Sequence, residues 1–148
     1  MTLPDTIART ITVDADLDRV WRLVSEPGWW INTGELTEHT ITWDGDVAAV
    51  TDPDIGTLHI RRVEVREPEY IAFRWAAGND EAPREGEQVL DTLCEFFVTP
   101  TAKGVQVRVV ESGWAAFEDT DFVQRNHADN VSGWDQEMGA LERALTAA

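Results

Sequence analysis

The chain has 148 residues, and 28 acidic against 12 basic side chains leave a formal charge of −16. The length suits a single domain, read here as 1–148, with enough chain to bury one core. No basic cluster interrupts the acid, which argues against nucleic acid or an anionic membrane as partner. The lone cysteine, Cys94, excludes an internal disulfide and a cysteine-built metal centre. The opening "MTLPDTIART" has neither a basic leader nor an apolar run, and no segment approaches the length of a membrane span, so a cytoplasmic protein is the simplest expectation.

"TIARTITVDAD" alternates, with Ile7, Arg9, Ile11 and Val13 on one side, and predicts a strand. Asp14 or Asp16 then offers a helix cap. Leu17, Val20, Trp21 and Val24 follow at helical spacing, and Pro27-Gly28 ends that helix. The next residues are Trp29, Trp30 and Ile31. Adjacent residues cannot both face one core squarely, so the pair serves two surfaces: one seals the core or the end of the sheet, and the other either faces a pocket or lies half exposed.

From residue 35 the period becomes that of strands. Turn signals at Asp44-Gly45, Asp52-Pro53, Pro68, Gly78, Pro83 and Lys103-Gly104 divide the middle into five or six segments. "ELTEHTITW" and "DVAAVT" flank a hairpin turn, "GTLHIRRVEVREP" pairs with "EYIAFRWAAG", and "EQVLDTLCEFFVTP" pairs with "GVQVRVVESGW". Residues 79–87 read as an acidic loop. From about Asp119 the chain is helical to its end, capped by Asp119, Thr120 or Asp121, with a bend expected at Ser132-Gly133. Trp134, Met138, Leu141 and Leu145 form its apolar stripe. The fold class is α+β: an antiparallel sheet that curls around a long C-terminal helix, with one or two short helices after the first strand.

"VDADLDRVWRLVSEPG" followed by "WW", then "IRRVEVREPEYIAFRW", "GVQVRVVESGW" and the Gly133-Trp134 pair come in an order that resembles the START/Bet v 1-like (SRPBCC) superfamily. Within it, the chain is similar to the family of the C-terminal domain of the activator of Hsp90 ATPase. The resemblance runs from about Ile7 to Leu145. It implies a helix-grip fold with a cavity between sheet and helix, in a superfamily that includes lipid carriers, cyclases and co-chaperone domains.

Trp30, Phe73, Trp75, Phe96, Trp114 and Trp134 are the candidates for an apolar wall around a small apolar or aromatic ligand. Trp21, on the stripe of the first helix, reads as core. Leu90, Thr92, Cys94, Phe96 and Val98 share one face of their strand, as do Val105, Val107, Val109 and Glu111 of the next. Glu111 ends an apolar face, so it is either at the solvent edge, the preferred reading, or buried, where a nearby Arg or His holds it charged or desolvation makes it an acid-base or hydrogen-bonding group. His127 and Asn130 continue the stripe of the last helix and mark either the polar end of a pocket or the point where the helix leaves the sheet. His39 and His59 read as surface or internally satisfied residues rather than ligands, and Arg61, Arg62 and Arg66 as solvated charge. Three scattered histidines make no metal site, Cys94 reads as inert core, and no nucleophile motif or phosphate-cradling loop occurs, so neither metal nor cofactor is expected. The leading expectation is a non-catalytic ligand-binding domain. The alternatives are an Hsp90 co-chaperone-like interaction module, whose partner is a chaperone, and a polyketide cyclase-type enzyme.

A charge of −16 on so small a domain is self-repulsive, and salt screens such repulsion. We expect the thermal midpoint to rise between low and moderate ionic strength. A flat profile would mean that the acids are compensated within the fold.

Overall fold

A computed structural model describes residues 3–76 and 90–146; the acidic loop read at 79–87 lies outside the described residues. The elements are β1 (Thr6–Val13), α1 (Leu17–Val24), β2 (Thr40–Asp44), β3 (Val47–Asp52), β4 (Gly56–Arg66), β5 (Tyr70–Ala76), β6 (Asp91–Thr101), β7 (Gly104–Ser112), a short 3-10 turn (Trp114–Ala116) and α2 (Asp121–Thr146). The seven strands form one antiparallel sheet in the order β1-β7-β6-β5-β4-β3-β2. Strands β2 to β7 are a meander of neighbours, and β1 joins its far edge by pairing Thr6 with Ser112 through to Val13 with Val105. This curved sheet and the long helix α2 make an α+β helix-grip arrangement.

Period-two alternation in β6 and β7 supplies the concave face. Thr92, Cys94, Phe96 and Val98 are buried along β6, and Val105, Val107, Val109 and Glu111 along β7. α2 covers that face with Val123, Trp134, Met138, Leu141 and Leu145. Its first turn is capped by Thr120, whose hydroxyl accepts from the Val123 N–H at 3.2 Å. Arg9 of β1 pairs with Asp135, and Arg19 of α1 donates to the carbonyls of Ala144 and Leu145, so α2 is tied to the rest of the domain along its second half.

Three local expectations are corrected. α2 is continuous through Ser132-Gly133: the weak helix propensity there, about 1 kcal/mol for Gly, is outweighed by packing on either side. β2 begins at Thr40 rather than near Glu35, because Thr37 and His39 bond inward instead of along a strand ladder. Asp16 occupies the α1 N-cap with extended backbone, but its side chain makes no capping bond.

Gly28 explains how the double tryptophan is delivered. Its φ is +72°, and a Cβ there would lie 2.9 Å from Val50 Cγ1 and 3.0 Å from Ile31 Cδ1 and Ile60 Cδ1. The turn after α1 is therefore pressed against the sheet, which leaves both Trp29 and Trp30 buried. Among the described residues no helix is long and apolar enough to cross a membrane.

We expect Gly28→Ala to lower stability by about 1–3 kcal/mol, from left-handed backbone strain together with the close contacts. Chemical denaturation checks the value, and an unchanged midpoint would show that the turn can retreat from Val50 and Ile60 at little cost.

Candidate functional site

Glu111 lies near the end of β7, on the face that turns toward α2, and is 0% exposed. The solvent-edge reading is therefore overturned. Its partners are also not the arginine or histidine expected of a buried acid. Oε2 accepts from Thr92 Oγ1 at 2.6 Å and Trp75 Nε1 at 2.9 Å, and Oε1 from Trp134 Nε1 and Asn130 Nδ2, both at 3.0 Å. Neutral donors from β5, β6 and α2 thus meet on one carboxylate, and every partner is a donor, the complement of an acceptor-only group. Cys94 Sγ is 3.7 Å from Oε2. Burial, reinforced by the Glu111 charge, pushes the Cys94 thiol well above its ordinary range, as suits an unreactive core residue.

Trp30 packs beside this cluster. Its ring centroid lies 5.2 Å from Phe96, 5.5 Å from Trp75, 5.6 Å from Phe73 and 5.8 Å from Trp134. Trp29 meets Trp30 edge to face at 6.0 Å and reaches Phe96 at 5.5 Å. The space between sheet and helix is thus largely filled by aromatic side chains. Between them lies a cavity of about 120 Å³, lined among the described residues by Trp30, Trp75, Asn130 and Trp134 together with Asn32, Asp129, Gly133, Gln136 and Glu137. Asp129 and Gln136 are exposed, so the cavity reaches the surface beside α2.

The loop after Trp30 forms part of the wall and is fixed by its own polar network. Asn32 Nδ2 donates to the Trp29 carbonyl at 2.6 Å and to Glu137 Oε1 at 3.0 Å. Glu137 Oε2 accepts from the Gly34 N–H at 3.2 Å and from Gln136 Nε2 at 3.0 Å. Thr37 Oγ1 stands 2.9 Å from both Asn32 Oδ1 and Asp52 Oδ2, and His39 Nε2 donates to the Ile31 carbonyl at 2.6 Å. Burial acts to raise the Asp52 carboxyl. The Asp54 N–H, the Thr37 hydroxyl, the Ile55 N–H and His39 outweigh it and hold Asp52 below the usual carboxylate range.

Of the nine residues singled out from the sequence, Trp30, Trp75, Asn130 and Trp134 line the cavity. Glu111, Phe73 and Phe96 stand behind that wall, holding or packing against its indoles. Trp114 and His127 do not line it; they pack against each other at 5.0 Å. Sequence reasoning missed Asn32, Asp129, Gly133, Gln136 and Glu137. One signal was present, since Asn130, Trp134, Glu137 and Leu141 fall at i, i+4, i+7 and i+11 on a single helix face. Among the described residues no group of three or more His, Cys, Asp or Glu is placed to hold a metal ion.

No protein-family model matches the chain, and no curated protein matches it. Solved structures do. A protein from Mesorhizobium loti shares 20% identity over 95% of this chain and 96% of that one, with a TM-score of 0.71. The Aha1 dimer from Colwellia psychrerythraea shares 17% over 95% of each chain, with a TM-score of 0.65. DynU16, from the dynemicin biosynthetic locus, shares 21% over 97% of this chain and 48% of its own, with a TM-score of 0.68; this chain spans about half its length. At these identities the likeness is one of fold. The chain has the START/Bet v 1-like helix-grip fold.

Glu111→Gln places an amide N–H₂ where every neighbour is already a donor. We expect a loss of about 1–3 kcal/mol, the cost of an unsatisfied buried polar group, read as a lower denaturation midpoint. An unaffected midpoint would mean that the indoles and Asn130 find other acceptors.

Proposed function

We propose that this protein binds a small aromatic or compact apolar molecule, without catalysis, in the cavity between the sheet and α2. The observation that carries this reading is a surface-reaching cavity of about 120 Å³ with three tryptophans in its wall and a polar rim. Sites for drug-sized ligands are about 300–1,000 Å³, whereas an apolar cavity of about 150 Å³ accepts benzene. The occupant is accordingly the size of a single ring or a short branched chain, not of a long lipid. The START/Bet v 1-like fold supports the same placement, since it sets a helix against a concave sheet.

An interaction module is the second reading. It is favoured by the filled interior, in which Trp30, Phe73, Phe96 and Trp134 occupy the room that a larger ligand needs. A solved Aha1 shares the fold, and an acidic surface of this strength would suit a basic patch on a chaperone. Salt-sensitive retention of a chaperone, with no ligand found for the cavity, would favour that reading. A cyclase-type activity has less support: both oxygens of Glu111 and of Glu137 already accept hydrogen bonds from the protein.

Gly133 gives the sharpest test. It lines the cavity, and a Cβ added there meets nothing within 4 Å. Replacing a mid-helix glycine also raises helix propensity by about 0.5–1 kcal/mol. Gly133→Leu is therefore expected to fold at least as stably as the parent while occupying the cavity. A panel of phenol, indole and benzyl alcohol, followed by tryptophan emission and thermal melting, supplies the probes. At about 100-fold over its dissociation constant a ligand stabilises the native state by roughly 2.7 kcal/mol, a rise on the order of 5–10 °C. We expect the shift to vanish in Gly133→Leu and to persist in Trp43→Ala, because Trp43 lies exposed on β2 beneath Arg62. A shift that survives Gly133→Leu would move binding elsewhere, and no shift with any probe would promote the interaction module.

A further inference from the structure

The cavity wall has a marked electrostatic character. Three indoles line it with the carboxylates of Asp129 and Glu137 and the amides of Asn32, Asn130 and Gln136, while among the described residues no Lys, Arg or His takes part. The rings of Trp30 and Trp75 meet at 89°, and those of Trp30 and Trp134 at 39°, so the wall is a corner of aromatic surfaces rather than a flat slot. Indole faces are negative and attract cations, Trp most strongly among aromatic side chains.

Two further observations point the same way. Trp75 and Trp134 each direct the indole N–H to Glu111, and a hydrogen bond to a carboxylate leaves the donor ring richer in electrons. Glu137 is 4% exposed, and among the described residues its hydrogen-bond partners are neutral donors; Arg143 donates to the Gly34 carbonyl beside it rather than to the carboxylate. A buried carboxylate is only partly compensated by neutral donors, so a cation arriving from outside completes its environment. The wall also holds an unpartnered donor: Trp30, itself 4% exposed, has no acceptor for Nε1 among the described residues. A ligand oxygen close to the positive group would match it.

Resting on the reading of this cavity as a binding site, and narrowing its compact occupant to one whose apolar methyl groups surround a positive charge, we propose that the ligand is a small organic cation, with a methylated or quaternary ammonium group seated among Trp30, Trp75 and Trp134 and facing Asp129 and Glu137. Such a group is weakly hydrated and compact, which suits a cavity of about 120 Å³. The charge of −16 raises the local concentration of cations around the whole domain, and the cavity supplies the selective site.

Choline and its neutral carbon isostere, 3,3-dimethylbutan-1-ol, separate charge from shape. Calorimetric titration of the full chain with each, at matched ionic strength, is expected to show choline binding about tenfold more tightly or better. Gly133→Leu should abolish choline binding, and Asp129→Asn should weaken choline more than the alcohol. Equal affinity for the two probes overturns the cation inference and leaves the apolar-binding reading standing. Choline binding that survives Gly133→Leu also overturns it, as counter-ion association with the acidic surface. If neither probe binds while phenol or indole does, the cation inference alone falls; if none binds, both readings fall together.

Discussion

The burial of Glu111 is the constraint on which the rest of the domain depends. A carboxylate inside an apolar interior is tolerated only when its oxygens are supplied with donors, and here these come from β5, β6 and α2 at once. The helix cannot slide or rotate over the sheet without breaking the Trp134 and Asn130 bonds. Trp75 is held in the same way from the sheet side, so two of the three indoles in the cavity wall have positions fixed by the fold itself. Trp30 then packs against both, and Gly28 is what allows the chain to bring it there.

A second layer of polar contacts fixes the loop that closes the other side. Asn32 links the Trp29 carbonyl to Glu137 on α2, and through Thr37 it is joined to Asp52 at the end of β3. Glu111 and Glu137 have the same design: a buried carboxylate surrounded by uncharged donors. In an ordinary core this arrangement costs stability relative to apolar packing, and it occurs twice beside one cavity.

Much of this was legible in the sequence because periodicity reports burial. The alternation in β6 and β7 marked the inward faces correctly, and the stripe of α2 located Trp134. Glu111 was recognisable as anomalous at the end of an apolar run, but its surroundings were not. Its donors come from positions 75, 92, 130 and 134, and nothing in one-dimensional spacing says that these converge. Trp114 and His127 illustrate the opposite error. Both have the chemistry of a pocket wall, yet the 3-10 turn after β7 pairs them with each other. Glu137 was passed over because an acidic residue in a strongly acidic chain looks like solvent-facing surface, although its helical phase placed it with Asn130 and Trp134.

The edge pairing of β1 with β7 has a consequence for how the chain reaches this state. Strands β2 to β7 each pair with a neighbour in sequence, mostly across short turns, whereas Thr6–Val13 must find Val105–Ser112. Such non-local closure is the slow kind, because loop entropy is lost before the contacts reward it. During synthesis at roughly 5–20 residues per second, β1 emerges on the order of 5–20 s before its partner. Its apolar residues Ile7 and Val13 lack their β7 partners for that interval, and β1, made before the meander, is among the last strands to be paired. The acidic character of the chain has a role here that the finished fold does not reveal: like-charged nascent chains repel one another while that edge is open.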